Sequence, residues 1–244
     1  MVHSFLLIGQ SNMAGRGFIN EAHPIDIERL YVLRNGRWIQ MFRPVHSDRK
    51  TAGVCLGESF AEAYCKENNV DVGLIACADG GTRIEQWERG DVLYDNAVFQ
   101  AKLAMRTSTL KGILWHQGES NCHATQDSTT YKAQLEALIA NLRRDLGEDI
   151  PFICGGMGDF MGTFHQSDNY LIINKAFQEV ANEQKLVGYA KADGLKPNAD
   201  NLHFSADALY DFGLRYYKEF KKINPKVQVE NSTAKLEFSD MEKL

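Results

Sequence analysis

Five short apolar runs alternate along this chain with segments that carry helical spacing, and that alternation limits what the chain can fold into. The runs are SFLLIG (4–9), VGLIACA (72–78), GILWHQ (112–117), PFICGG (151–156) and LVGYA (186–190), and helical patterns cover 57–68, 95–107, 130–146, 170–184 and 205–222. In the third of these helices Leu135, Leu138, Ile139 and Leu142 recur at steps of three and four, which puts them on one face. Strands so uniformly apolar are covered on both sides, and the βα alternation supplies the covering helices. The expected class is therefore α/β, three layers around a central, mainly parallel sheet. One insertion, LYVLRNGRWIQM (30–41), reads as a hairpin turning at Asn35-Gly36, and Ser205 is the expected N-cap of the last helix. Residues 1–223 read as one domain. Residues 224–244 have little apolar periodicity and read as a C-terminal tail packed on that domain or extending from it.

Charge and cysteine usage narrow the function classes. With 27 basic against 32 acidic residues the net charge is −5, and no basic stripe stands out. KEFKK (218–222) fits the solvent face of the last helix, so nucleic acid is not an expected partner. Cys55, Cys65, Cys77, Cys122 and Cys154 are odd in number and show no repeated CxxC spacing. Apolar neighbours, as in LIACA (74–78), make them reduced core thiols in this reading, which suits a reducing compartment. There is no basic segment followed by an apolar run and a cleavage site, and no apolar stretch long enough to cross a bilayer. The expectation is a cytoplasmic protein without a membrane partner; the sequence carries no signal for oligomeric state.

In a parallel sheet of this kind ligands bind outside the carboxyl ends of the strands. That rim collects Ser11, the DGGT loop (79–82), the loop after Gln117 and the GGMGDF loop (155–160). Ser11 follows a strand that breaks at Gly9 and precedes a helical turn, so it is either a helix cap or a nucleophile. Asp200 and His203 in DNLH are three apart in a non-helical stretch, where a carboxylate can orient an imidazole. Gln117, at a strand end before Gly118, has an amide able to donate into the site. Gly80-Gly81 lets backbone N–H groups come close to a ligand. Glu119 is a second carboxylate that could reach the imidazole or brace the Ser11 turn. Trp87 is a candidate wall for a sugar pocket, Trp115 a core residue, and Arg83 a solvent-exposed side chain near Gly81. The GxSxG elbow is absent, GGMGDF lacks the Lys-Ser/Thr of a phosphate loop, and His116, His123 and His165 have no metal-site spacing.

GQSNMAG (9–15), CADGGTRIEQW (77–87), LWHQGESN (114–121) and DNLHFS (200–205) together resemble the motif blocks of the SGNH (GDSL-like) hydrolases. The resemblance is nearest to the sialate O-acetylesterase and acetylxylan esterase branch, carbohydrate esterase family six, and the blocks keep the family's order across 9–205. It implies a flavodoxin-like α/β/α fold and a serine esterase that needs no metal or organic cofactor. Ser11 matches the nucleophile, His203 the general base and Asp200 its orienting acid, with Glu119 as support or alternative acid. The implied oxyanion hole uses the Ser11 N–H, an N–H of Gly80 or Gly81, and the Gln117 side-chain amide. Gln10 stands where the wider superfamily has aspartate, and Gln117 where it has asparagine. The expected substrate is an acetylated carbohydrate, a xylo-oligosaccharide or an O-acetyl sialic acid. The rivals are an esterase or thioesterase on non-sugar acyl groups and an inactive sugar-binding module.

Overall fold

Along β1 (Val2–Gly9) every residue is buried, because the strand lies inside a seven-stranded sheet with helices on both faces. The computed structural model describes residues 1–147 and 150–223; the expected tail at 224–244 lies outside them. The remaining strands are β2 (Leu30–Arg34), β3 (Arg37–Gln40), β4 (Val72–Ala76), β5 (Ser108–His116), β6 (Phe152–Gly155) and β7 (Val187–Ala190). Their order is β3-β2-β4-β1-β5-β6-β7. All neighbours are parallel except β2 and β3. Those two form the expected hairpin, with Asn35 and Gly36 at φ 50° and 75°, the positive values a tight two-residue turn requires.

With the hairpin set aside, the strands of the βα units run in the doubly wound flavodoxin-like order. The helices are α1 (Ser11–Ala14), α2 (Leu56–Asn68), α3 (Val92–Ala104), α4 (Thr125–Leu146), α5 (Phe160–His165), α6 (Asn169–Glu183) and α7 (Ala206–Ile223). Successive side chains of a strand face opposite ways, and β1 shows the consequence. Phe5 and Leu7 pack into the layer of α2 and α7 with Phe60, Tyr64, Phe212 and Tyr216. Leu6 and Ile8 pack into the layer of α3, α4 and α6 with Ala101, Tyr131, Leu135 and Phe177. The chain is thus a three-layer α/β/α protein. From β1 the winding goes to β4 on one side and β5 on the other, so the carboxyl end of β1 is the switch point where such sheets open a crevice.

Several elements differ from the sequence reading, among them α3, which runs Val92–Ala104 rather than 95–107. β5 begins at Ser108 rather than 112, because its first residues alternate between buried and half-buried and do not look like a continuous apolar run. α4 starts at Thr125, five residues before its apolar stripe becomes regular. The short α5 was not expected; it buries only Met161 and has no periodicity to reveal it.

Candidate active site

Sterics end β1 where they do. A Cβ at Gly9 would sit 2.0 Å from the His116 carbonyl oxygen, and φ at Gly9 is +126°, so only glycine fits this approach of β1 to β5. The Gln10 N–H then donates to that same carbonyl at 2.8 Å, and the chain turns into α1 with Ser11 as its first residue. The Ser11 N–H has no acceptor inside the helix. Gly15, at φ 94°, ends the turn by donating to the Ser11 carbonyl.

Asp200 and His203 meet Ser11 from the far end of the chain. The Ser11 Oγ lies 3.0 Å from His203 Nε2, and His203 Nδ1 lies 2.7 Å from Asp200 Oδ2. The carboxylate accepts a hydrogen bond from Nδ1–H, which leaves Nε2 as an acceptor for the serine hydroxyl. The other oxygen of Asp200 accepts the backbone N–H groups of Leu202 and His203, each at 3.0 Å, so the loop holds its own acid in place. Partial burial works against its charge, but the two N–H groups and the imidazole hold the Asp200 carboxyl below its usual range.

Glu119 is not the partner of His203. Its Oε1 accepts from Asn12 Nδ2 at 2.5 Å and faces His116 Nε2 at 3.0 Å. Burial opposes its charge too, yet His116 and the Asn12 amide keep its carboxyl below the ordinary value. Asn12 is the residue that sequence reasoning passed over. Its Nδ2 also donates to the Leu202 carbonyl at 3.2 Å, and its Oδ1 accepts the Phe204 N–H at 3.0 Å. One buried amide beside the serine therefore clasps both neighbours of His203. The only signal in the sequence was an amide where a small cap residue would suffice.

The glycine loop divides the two candidates named for it. The Gly80 N–H donates to Asp48 Oδ2 at 2.9 Å, whereas the Gly81 N–H has no such partner among the described residues. A Cβ at Gly80 would meet the Arg16 guanidinium at 2.5 Å and lie 3.5 Å from Ser11 Cβ; at Gly81 it would meet open space. Arg16 pairs with Asp48 at 2.6 Å, and both side chains are largely buried. Burial disfavours the Asp48 charge, but Arg16 and the Gly80 N–H hold its carboxyl low. Arg49 braces the same loop, donating to the Gly80 carbonyl at 3.0 Å and pairing with Asp79 at 2.6 Å. Neither Arg16, Asp48 nor Arg49 belonged to a recognisable motif, since a pairing across 32 residues leaves no local trace.

Gln117 is not brought to the cleft. It is fully buried, and its Nε2 donates to Gln10 Oε1, the Thr82 carbonyl and Asn121 Oδ1 at 3.1, 3.0 and 2.8 Å. Its Oε1 accepts from Tyr131 at 2.8 Å. The amide ties the Gln10 turn, the glycine loop and the segment after β5 to one another from behind, so the expectation that it faces an oxyanion does not match its position. Trp87 is likewise core, buried edge-on against Trp115 with its Nε1 donating to Thr82. Arg83, expected in solvent, is about a third exposed and pairs with Asp127 at 2.7 Å and Glu85 at 3.3 Å.

A hollow of about 360 Å³ opens over Ser11, bounded by Gly80, Gly81, Arg49, Ser120 and His203 and closed on one side by His123, Phe164 and His165. His123 and His165 stand edge to face there, with ring centroids 4.4 Å apart. Among the described residues no cluster of three or more His, Cys, Asp or Glu is arranged to hold a metal ion, and no helix is long and apolar enough to cross a membrane.

The family model for carbohydrate esterase, sialic acid-specific acetylesterase, matches residues 1–222. A probable carbohydrate esterase of Arabidopsis thaliana is 31% identical over 233 residues, covering 86% of this chain and 86% of that protein. A solved structure of a protein from Arabidopsis thaliana superimposes with a TM-score of 0.81 at 29% identity, covering 90% of this chain and 98% of the other. A carbohydrate acetylesterase from Xanthomonas citri shares the fold, with a TM-score of 0.68 at 19% identity, over 91% of this chain and 56% of its own.

Proposed function

This chain belongs to the carbohydrate esterase family of sialic acid-specific acetylesterases and is a carboxylic ester hydrolase, and on that footing we propose that it removes O-acetyl groups from carbohydrate through a serine acyl-enzyme. The observation that carries the mechanism is the unbroken line from Ser11 Oγ through the His203 ring to Asp200, with links of 3.0 and 2.7 Å. His203 Nε2 takes the hydroxyl proton as Oγ attacks the acetyl carbonyl, and Asp200 holds the ring in the required tautomer and offsets its charge. The oxyanion forms against the N–H groups of Ser11 and Gly81, neither of which has an acceptor of its own among the described residues. His203 then protonates the departing sugar oxygen. Water, activated by the same imidazole, releases acetate from Ser11.

Glu119, Gln117 and Asp48 serve this chemistry from behind, by holding Asn12, the rim loops and Gly80 respectively. The substrate in this reading is a small acetylated sugar, a xylo-oligosaccharide or an O-acetyl sialic acid, and residues 1–223 are the catalytic domain. Four of the five cysteines are buried free thiols and Cys65 is half-buried, which supports a cytoplasmic site of action. The test is acetate release from acetylated xylo-oligosaccharides and from O-acetyl sialic acid, with Ser11→Ala as the paired control. The reading predicts turnover on at least one of them and a loss of more than about 10⁴-fold in the variant. Retained activity in folded Ser11→Ala protein would return Ser11 to the role of a helix cap.

A further inference from the structure

Two hollows meet at His203. The smaller holds Ser11 and Gly81; the larger, of about 740 Å³, is lined by Phe18, Ile19, Asn20 and Asn198 and by the Asp200–His203 pair. Arg16 and His203 border both. At 740 Å³ the second hollow is within the range of sites that enclose an organic ligand. Its floor is fixed: Gly17 and Val54 exchange backbone hydrogen bonds, and Asn198 Nδ2 donates to the Arg16 carbonyl at 3.0 Å. A Cβ at Gly53 would lie 2.1 Å from the Gly17 oxygen, so the two segments have no room to shift toward each other.

On this floor two adjacent apolar side chains stand in water. Phe18 is 52% and Ile19 48% exposed, and both line the hollow that His203 and Asp200 border, which puts an apolar face beside polar groups at the reactive centre. The chemistry of ester cleavage says which part of the ligand belongs there. The carbonyl oxygen is held at the Ser11 and Gly81 N–H groups, in the smaller hollow. The alkoxy oxygen has to leave toward His203 Nε2, which donates its proton to it as the C–O bond breaks, so the alcohol extends past the imidazole. The geometry points to the larger hollow as the seat of the alcohol half of the ester, a pyranose ring whose C–H face stacks on Phe18 and whose hydroxyls meet Asn20 and Asn198. This assignment rests on the carbohydrate deacetylation proposed above.

The experiment compares Phe18→Ala, Phe18→Tyr and wild type on an acetylated xyloside and on ethyl acetate, whose alcohol is too small to reach Phe18. Expected for Phe18→Ala is a rise of about tenfold in KM for the xyloside, a loss in kcat/KM about tenfold larger than on ethyl acetate, and recovery in Phe18→Tyr. Equal losses on both esters, or no change on the xyloside, would overturn the subsite. Wild-type protein that cleaves ethyl acetate but no acetylated sugar would instead overturn the carbohydrate reading on which the subsite depends.

Discussion

Replacing Asn12 with alanine removes one buried amide and, with it, the clasp on both flanks of His203. Three bonds go: the donation to the Glu119 carboxylate at 2.5 Å, the donation to Leu202 at 3.2 Å and the acceptance from Phe204 at 3.0 Å. A bond to a charged group contributes about 1.5–3 kcal/mol and a neutral one about 0.5–1.5 kcal/mol, so the loss in stability is about 2.5–6 kcal/mol. For a chain of this size that lowers Tm by roughly 5–24 °C and leaves a folded protein at room temperature. The catalytic loss has a different cause. The hydrogen bonds that tie Leu202 and Phe204 to the serine turn are then gone, and a shift of about 1 Å at His203 Nε2 costs about 100-fold in turnover. The assay is kcat and KM for an acetate ester at 15–20 °C (roughly, well below the lowered midpoint) beside a thermal melt followed by circular dichroism. The expected pattern is a large fall in kcat, a small change in KM and a lower Tm. Asn12→Asp keeps the oxygen for Phe204 but sets a second carboxyl group against Glu119, and is expected to be worse on both counts. A destabilised Asn12→Ala protein with kcat within about twofold of wild type would refute the clasp as a determinant of catalysis.

Asp200→Asn keeps an oxygen for the Leu202 and His203 N–H groups, so the loop survives, but its amide donates toward Nδ1 and drives the proton to Nε2. A loss of about 10⁴-fold in kcat with little change in Tm is expected, and a mild effect would mean that another group orients the ring. Gln117→Ala deletes four buried hydrogen bonds and is expected to lower Tm as well as activity; a variant with wild-type Tm and a kcat reduced about 100- to 1,000-fold would put the amide back on the oxyanion. His46 is fully enclosed, and burial together with Arg34 and Arg16, against the opposing pull of Asp48, lowers its pKa to about 4. The unfolded chain takes up a proton near pH 6.5 that the folded chain refuses. Stability therefore falls as pH drops from 6.5 to about 4, by up to about 3 kcal/mol from this group. Urea unfolding of wild type and His46→Leu at both ends of that window tests it, since equal pH dependence in the two proteins would rule out His46 as the source.

How much of this was legible in the sequence depends on how far apart the interacting groups lie along the chain. The layer order and the hairpin followed from periodicity and from Asn35-Gly36, because both are local properties of a few adjacent residues. Asp200 and His203 were legible as a pair for the same reason, since a separation of three suffices to set a carboxylate beside a ring. The Arg16–Asp48 pair and its grip on Gly80 were not legible, because a contact closed by the fold leaves no mark on either local pattern. The half-buried start of β5 and the short α5 were missed for want of a strong apolar period.

Gln117 separates the two kinds of knowledge most clearly. A strand-end amide next to a glycine, in a block shared with a known family, invites the role of a donor into the cleft. The structure supplies acceptors within the protein: Gln10, Thr82 and Asn121 all take the Gln117 amide, and an amide nitrogen with two hydrogens has none left for a ligand. The same inward commitment removes Gly80 from the donors and leaves Gly81. On a rim built this way the Ser11 and Gly81 N–H groups have no acceptor among the described residues, while Gln117 and Asp48 are committed to partners of their own. Preorganisation of that kind lowers the reorganisation needed when negative charge develops on the carbonyl oxygen. In this chain the supporting residues Gln10, Asn12, Asp48, Gln117 and Glu119 therefore belong to the catalytic argument even though the mechanism asks none of them to touch the ester.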